Sequence, residues 1–409
     1  MMLEFLLIAL QVLIVFLQFV FTLSLIIAVI YLLSHKVEWK KGEGGEPATV
    51  SIVIPVYKER EESVMVTVNS ILAQDYPRDK MEVILVGERD EQESLPMLEK
   101  VSRLIEKHGI RSRVVANERK RCGKGAALNE ALKYVKGEVF VAFDADDRIP
   151  PSYLMDGVSL LKEGYAALTA KVYREGDNPT AKLLHMDTVF YYTIGLPAIY
   201  LVAGGYSAIS GEGLMIKTEV LREVGGFPDV LTEDAAMAIK LSEKGYKMAL
   251  LGDVVVEKAP ERLVNHLKQR KRWFGGYFEC FKMLLKSKVP LKHFFGLLFL
   301  YLSPLNLVSH TVTMSSFVAY WIAWMIGYTP ITNFIIMVYS GFLFYWGLFI
   351  FFIGNYFLTM LMVYSISDTE YEWLMPYTML FLFYWYILGL VVVYSIFAPK
   401  VWHKTERWS

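Results

Sequence analysis

From Phe5 to Ser34 the chain carries no charged residue, and from Phe294 to Pro399 it carries only Asp368, Glu370 and Glu372. The stretch from residue 36 to about residue 292 holds nearly all the rest. A formal net charge of zero and a hydrophobic share of 54% hide this segregation. An apolar run of roughly 20 residues suffices to cross a bilayer as a helix, so the pattern predicts a water-facing domain held between membrane segments. Residues 1–35 read as a retained transmembrane helix. A cleaved secretory signal would want a basic start, a shorter apolar core and a small-residue cleavage site, whereas Glu4 is the only early charge. His35, Lys36, Lys40 and Lys41 follow the run, which puts the next domain in the cytoplasm by the positive-inside rule.

Three apolar blocks close the chain, Phe294 to Ile326, Ile331 to Ile366 and Leu374 to Ala398. Lys286, Lys288 and Lys292 precede them and Lys400, His403, Lys404 and Arg407 follow. Both ends therefore prefer the cytoplasm, which requires an even number of crossings, while three blocks suggest three. Pro304, Asn306 and His310 interrupt the first block and Gly354-Asn355 the second, so one block is a candidate hairpin or interfacial segment and the crossing number stays open. Zero net charge gives no pull toward nucleic acid. Cys122 and Cys280 make no disulfide framework, and the seven His residues have no metal-ligand spacing.

After a short linker, Gly42 to Pro47, the charged stretch alternates strand and helix. Strands are expected at Val50 to Tyr57, ended by Pro55, and at Met81 to Val86, Ser112 to Ala116 and Glu138 to Phe143. Helices are expected at Glu62 to Ala73, Leu95 to His108 and Gly125 to Tyr134. This alternation predicts an α/β fold with a parallel, doubly wound, Rossmann-like sheet. Further strands are expected at Ala166 to Tyr173, Leu214 to Ile216 and Lys247 to Val255, with a helix from Thr232-Glu233-Asp234 to Lys244. Lys182 to Leu196, rich in aromatics, is expected to face membrane or acceptor. The basic, aromatic segment Glu261 to Lys286 leads to the membrane.

The apolar run Val139 to Phe143 ends in Asp144-Ala145-Asp146-Asp147. Ligands of open parallel sheets sit beyond the carboxyl ends of strands, and Asp144 and Asp146, two apart, share a side. Two carboxylates there can hold a divalent cation and, through it, a diphosphate; a solvated turn after a core strand is the alternative. Gly123-Lys124-Gly125 opens a helix, where glycines and the helix N-terminus suit a phosphate; a turn with an exposed lysine is the alternative. Thr232 fits an N-cap, and acids in the first turn favour the helix dipole. Asp234 could instead be a general base that deprotonates a sugar hydroxyl. Gln269, Arg272 and Trp273 fall on one helical face, suited either to phosphate and sugar or to a membrane surface.

Together these motifs, with Ile54-Pro55-Val56-Tyr57-Lys58-Glu59, Gly211-Glu212-Gly213, Gly225-Gly226-Phe227 and the tail Trp402 to Glu406, resemble the membrane-integrated family 2 inverting glycosyltransferases. That group contains cellulose, chitin and hyaluronan synthases and ceramide glucosyltransferase. The resemblance implies a cytoplasmic GT-A domain over 36–260, interfacial helices over 261–292, transmembrane helices over 293–399 and a cytoplasmic tail at 400–409. It implies that Pro55, Tyr57, Glu59, Glu88 and Lys124 contact the nucleotide sugar, with Asp144 beside it. Asp146, with Asp144, would bind Mg2+ or Mn2+. Asp234 would be the base, Gln269 and Arg272 would hold the diphosphate, and Glu233 and Trp273 would meet the acceptor. One departure is Val86-Gly87-Glu88-Arg89-Asp90, where the family has an Asp-rich turn that reads the base; Glu88 is the substitute.

The expected reaction is inverting, metal-dependent transfer from a nucleoside-diphosphate sugar, a UDP-sugar first, to a growing polysaccharide in contact with membrane lipids. Single addition to a membrane lipid is the alternative, and a nucleotide-binding transporter or scaffold is the rival from another class. Sugar identity and oligomeric state are not readable.

Overall fold

The structure is a computed structural model and describes residues 37–89, 91, 94–117, 123–327 and 378–398, with residues 9, 12, 13 and 16 ahead of them. The expected N-terminal span (but for those four positions), the block Ile331 to Ile366, Cys122 and the tail from Lys400 lie outside the described residues. Backbone contacts divide the chain into two units. One comprises Met1–Lys36, Thr193–Ala198 and Leu302–Pro399; the other comprises Val37–Tyr192, Ile199–Tyr301 and Lys400–Ser409.

The larger unit is built on seven strands, β1 (Val50–Val56), β2 (Met81–Glu88), β3 (Arg111–Asn117), β4 (Val139–Ala142), β5 (Ala167–Glu175), β6 (Leu214–Lys217) and β7 (Met248–Lys258). Their order in the sheet is β3-β2-β1-β4-β6-β5-β7. Strands β1 to β4 pair in parallel, and so do β5 and β7. β6 runs against both its neighbours, so the sheet is mixed but mostly parallel. The reversal leaves β5 and β7 pointing the same way as β1 to β4. The apolar residues of β1, β2 and β4 are buried on successive positions, as expected for strands covered on both faces.

One core cluster joins Val53, Ile84, Phe140, Ala142 and Ile216 to the helices Gly123–Leu132 and Glu233–Lys244. Helix Leu291–Leu302 docks on the same core: Tyr301 Oη donates to Ala235 O at 2.8 Å, and Gly296 packs so closely on Ala203 that a side chain there has no room. In the smaller unit the helices Pro304–Met325 and Thr378–Phe397 pack together, with Thr311 Oγ1 donating to Tyr386 O at 2.9 Å. Among the described residues no single helix is long and apolar enough to cross a membrane, while the broken pair Leu291–Leu302 and Pro304–Val312 passes by length and composition.

Two local expectations change. Pro55 does not end β1, which runs on to Val56 in register with β2. Val53 O accepts from Phe143 N, so alternate residue Pro55 also faces β4; but β4 has already ended at Ala142, and no bond is lost by a residue without an N–H. Thr232 stands at the N-cap of Glu233–Lys244 without a side-chain capping bond; its hydroxyl meets Cys280 Sγ at 3.4 Å instead. The residues ahead of β1, the linker among them, are bonded to the domain. Lys40 adds to the free edge of β7, giving its N–H to Leu250 O at 2.8 Å and taking Gly252 N–H at 2.7 Å. Ser159 Oγ and Lys162 Nζ hold Gly44 O and Glu46 O.

Asn129 locks the loop before the Thr232 helix, accepting from Phe227 N and donating to Phe227 O, both at 2.8 Å. Asn129→Ala leaves two backbone groups without these bonds and is expected to cost about 1–3 kcal/mol, read as a fall in denaturation midpoint; an unchanged midpoint would show the lock to be dispensable.

Candidate active site

The parallel strands deliver their C-terminal ends to one edge, where open sheets bind ligands. Tyr57 and Glu59 follow β1, Glu88 and Asn117 end β2 and β3, Asp144 to Asp147 follow β4, Arg174 lies near the end of β5, and Glu257 lies near the end of β7. β6, being reversed, starts at this edge and brings Gly211-Glu212-Gly213 to it. Gly213 has φ +75° and a space already filled by Tyr153 and Val255, so only glycine suits the turn.

The acidic turn is held from several sides. Asp147 is fully buried and accepts from Asp144 N at 2.7 Å. Thr67 Oγ1 donates to Asp144 O at 2.8 Å, and Arg148 bonds to Val256 in both directions. The turn thus sits against β7 one residue from Glu257. Ligand oxygens of Asp144, Glu212 and Glu257 lie within 4.8 Å of one another, a set that could hold a cation. Oxygen-only donors suit Mg2+ or Mn2+. Asp147 Oδ1, buried and without a hydrogen-bond partner among the described residues, adds an unsatisfied polar atom to the same turn. The residues therefore fit a hard divalent cation. Asp146 is buried within the turn, outside that three-residue set.

Two cations balance the cluster. Lys124, at the first turn of Gly123–Leu132, donates to Asp144 Oδ1 at 2.5 Å and to Gly211 O at 2.8 Å. Arg174 and Glu257 form a buried ion pair. Burial alone would lower the Lys124 amine, but the charges of Asp144, Glu212 and Glu233 hold it up. Burial, Glu257 and Asp144 lift Glu212 to about 7, against the pull of Lys124 and Arg174. Burial and the neighbouring Asp144 and Glu212 hold Asp147 well above the carboxylate range.

Asp234 and Glu233 open their helix close by. Gly211 passes so near Asp234 that a Cβ there would stand 2.7 Å from Oδ2. Burial raises the Asp234 carboxyl, while Lys124, the Ala235 N–H and Arg272 pull it back. Glu233 is lifted to about 8 by burial and by Asp234. Lys124, Asp144, Asp234, Glu233 and Arg272 are thus brought into one electrostatic neighbourhood. Arg272 gives a long 3.4 Å bond to Leu231 O, and its buried Nε has no hydrogen-bond partner among the described residues.

The other expected residues are placed differently. Glu88 accepts from the buried Asn117 Nδ2 at 3.0 Å, at the β2–β3 end of the edge. Lys58, between Tyr57 and Glu59, has φ 52°, and Glu91 takes its N–H at 2.9 Å. Pro55 is half-buried within β1. Gln269 is buried on helix Leu263–Leu285, one turn from Trp273. The Trp273 ring lies under two guanidiniums, Arg174 at 4.9 Å and Arg270 at 4.5 Å, and Arg270 is paired with Asp187. Glu257, Arg174 and Asn117 were absent from the sequence-derived set, and Glu212 entered it only within the Gly211-Glu212-Gly213 motif, without a role. Glu257 carried the signal used for Asp144, an acid closing an apolar strand, Val254-Val255-Val256.

Two family models match the chain: Glycosyl transferase family 2 over residues 51–225 and Glycosyl transferase family group 2 over residues 139–342. A cellulose synthase catalytic subunit (UDP-forming) from Pseudomonas fluorescens is 30% identical over 256 residues, which are 60% of this chain and 33% of that protein. A beta-monoglucosyldiacylglycerol synthase from Synechocystis is 26% identical, over 57% of this chain and 50% of that protein. The chain thus spans a third to a half of these relatives. The mannosyltransferase PcManGT from Pyrobaculum calidifontis, solved with GDP-Man and Mn2+, shares the fold at a TM-score of 0.59 and 22% identity, over 81% of this chain and 97% of its own. The mostly parallel mixed sheet matches the GT-A fold.

A proton on Glu212 competes with a cation for its oxygens. Mn2+ affinity, measured by electron paramagnetic resonance, is therefore expected to fall as pH drops through about 7, and Glu212→Gln should flatten the slope there. A flat wild-type profile would take Glu212 out of the cation set.

Proposed function

The chain belongs to glycosyltransferase family 2, and on that premise we propose that it transfers a sugar with inversion from a nucleoside-diphosphate sugar, a UDP-sugar first, in a reaction that uses Mg2+ or Mn2+. The observation that carries this reading is the juxtaposition of Asp234 with Lys124 and the Asp144 cluster at the carboxyl edge of the sheet. A sugar hydroxyl is a poor nucleophile at neutral pH, so a carboxylate must take its proton as it attacks. Burial lifts the Asp234 carboxyl above its ordinary value, the direction that strengthens a base, while Lys124 and Arg272 oppose the rise.

Lys124 and Arg272 are the donors to the departing diphosphate, and Asp144, Glu212 and Glu257 are the cation set, with Asp146, the ligand expected from the sequence, in the same turn but outside that set. The bound cation would neutralise charge on the leaving group, which is an electrostatic contribution to the transition state. Tyr57, Glu59 and the Glu88–Asn117 pair lie at the strand ends beyond, where the nucleoside would be held.

The acceptor we infer is a growing polysaccharide. A second reading, one addition to a membrane lipid, is favoured by Trp273: two guanidiniums lie over its ring, so a sugar that stacked there would have to displace one. We also propose that the catalytic unit faces the cytoplasm of an integral membrane protein. The support is the concentration of charge in residues 36 to about 292 and the apolar pair Leu291–Leu302 and Pro304–Val312.

Asp234→Asn is expected to lower turnover by about 10²–10⁴-fold while leaving nucleotide affinity nearly intact; wild-type turnover in that variant would remove Asp234 as the base. Chromatography of labelled product separates the two acceptors: a ladder supports chain extension, and a single lipid-soluble adduct opposes it.

A further inference from the structure

Arg174 is the one buried cation of the cluster that the sugar-transfer reading does not use. It is 2% exposed, it is paired with the equally buried Glu257, and its Nη1 has no hydrogen-bond partner among the described residues. A guanidinium taken out of water with a donor unmade is costly. A pair kept only for packing could be replaced by apolar residues at little cost or with gain. Its position is also particular. Glu257 shares the cation set with Asp144 and Glu212, and Arg174 acts electrostatically on Glu212. The Trp273 ring and the His185 Nδ1–H, which donates to Arg174 O at 2.8 Å, fix the arginine from the other side.

The cluster is therefore closed by two ion pairs, Lys124–Asp144 and Arg174–Glu257. Both carboxylates belong to the cation set, and both cations can donate to phosphate oxygens. We propose that Arg174 is a further diphosphate-binding residue, and that the two ion pairs open together when a divalent cation and a nucleoside diphosphate enter as one unit. Asp144 and Glu257 then turn to the cation, and Lys124 and Arg174 turn to the phosphate oxygens. No bond is made or broken in this exchange. The charges balance, because a divalent cation and the doubly negative diphosphate of a nucleotide sugar add nothing net to a site already compensated. Either partner alone would have to open an ion pair and leave one member unmatched in a buried place. The inference rests on the nucleotide-sugar reading above.

The exchange demands strong reciprocal coupling between cation and nucleotide. Mn2+ binding to the full chain in detergent micelles is followed by electron paramagnetic resonance, alone and with UDP or GDP. Wild type is compared with Arg174→Gln and Arg174→Lys. In wild type the better nucleotide is expected to tighten Mn2+ at least tenfold, and Mn2+ to tighten that nucleotide by the same factor. Arg174→Gln should cut the coupling at least fivefold and let Mn2+ alone bind more tightly, since Glu257 has lost its competitor. Arg174→Lys, which keeps the charge, should retain most of the coupling. Equal coupling in wild type and Arg174→Gln overturns the proposal and leaves sugar transfer standing. Failure of wild type to bind either nucleotide, with or without Mn2+, removes both. Should Arg174→Gln not fold, wild type with UMP or GMP decides: one phosphoryl group cannot draw both cations, so coupling should fall below threefold, and coupling equal to that of the diphosphates overturns the proposal.

Discussion

Carboxylates can be crowded at a sheet edge only if cations are crowded there with them. Asp144, Asp146, Asp147, Glu212 and Glu257 meet where β4, β6 and β7 converge, and in a low-dielectric setting their mutual repulsion would push several to the neutral form. Lys124 and Arg174 are what let the group exist with charge on it. Each comes from an element already committed to the fold, the first turn of Gly123–Leu132 and the end of β5. The placement of these two side chains therefore ties the folding of the domain to the chemistry of its edge.

The reversed strand β6 is the second requirement. Parallel strands alone deliver only their carboxyl ends to the site. By running backwards between β4 and β5, β6 brings the loop that precedes it to the same edge, so that Gly211 meets Lys124 and Asp234 while Glu212 joins the acids. The cost is a pair of short ladders, since β5 and β6 share only Ala167↔Ile216 and Leu168↔Met215. The buried ion pair at the end of β5 then holds β5 and β7 together beyond the point where the β6 ladder stops.

The sequence made the framework legible because the first half of the domain is locally consistent. Apolar runs, helical periods and turn residues agree from Val50 to Ala142, and the acid at the end of β4 stands in the middle of the observed sheet. The second half was harder to read. The direction of β6 depends on long-range pairing that Leu214 to Ile216 does not encode. Arg174 and Glu257 lie 83 residues apart; Arg174 alone reads as a surface charge on a strand, and the acid that closes Val254-Val255-Val256 does not announce its partner. Trp273 shows the same limit from the other side. Its helical spacing with Gln269 and Arg272 was visible, whereas the guanidinium of Arg174 over its ring comes from another element.

The bonded linker bears on how the chain enters the catalytic unit. Ten residues of unbound chain, 37 to 46, would give a root-mean-square slack of roughly 17 Å. Here Lys40 is a ladder partner of β7, Trp39 lies under Lys171 at 4.9 Å, and Gly44 and Glu46 are held by helix Tyr153–Lys162. That leash has been reeled in to nothing. The polypeptide departs from a fixed berth on the flank of β7, the strand that carries Glu257. A pull on Val37 is therefore delivered as a mechanical load on the strand that supplies part of the acidic site, with no spring between them.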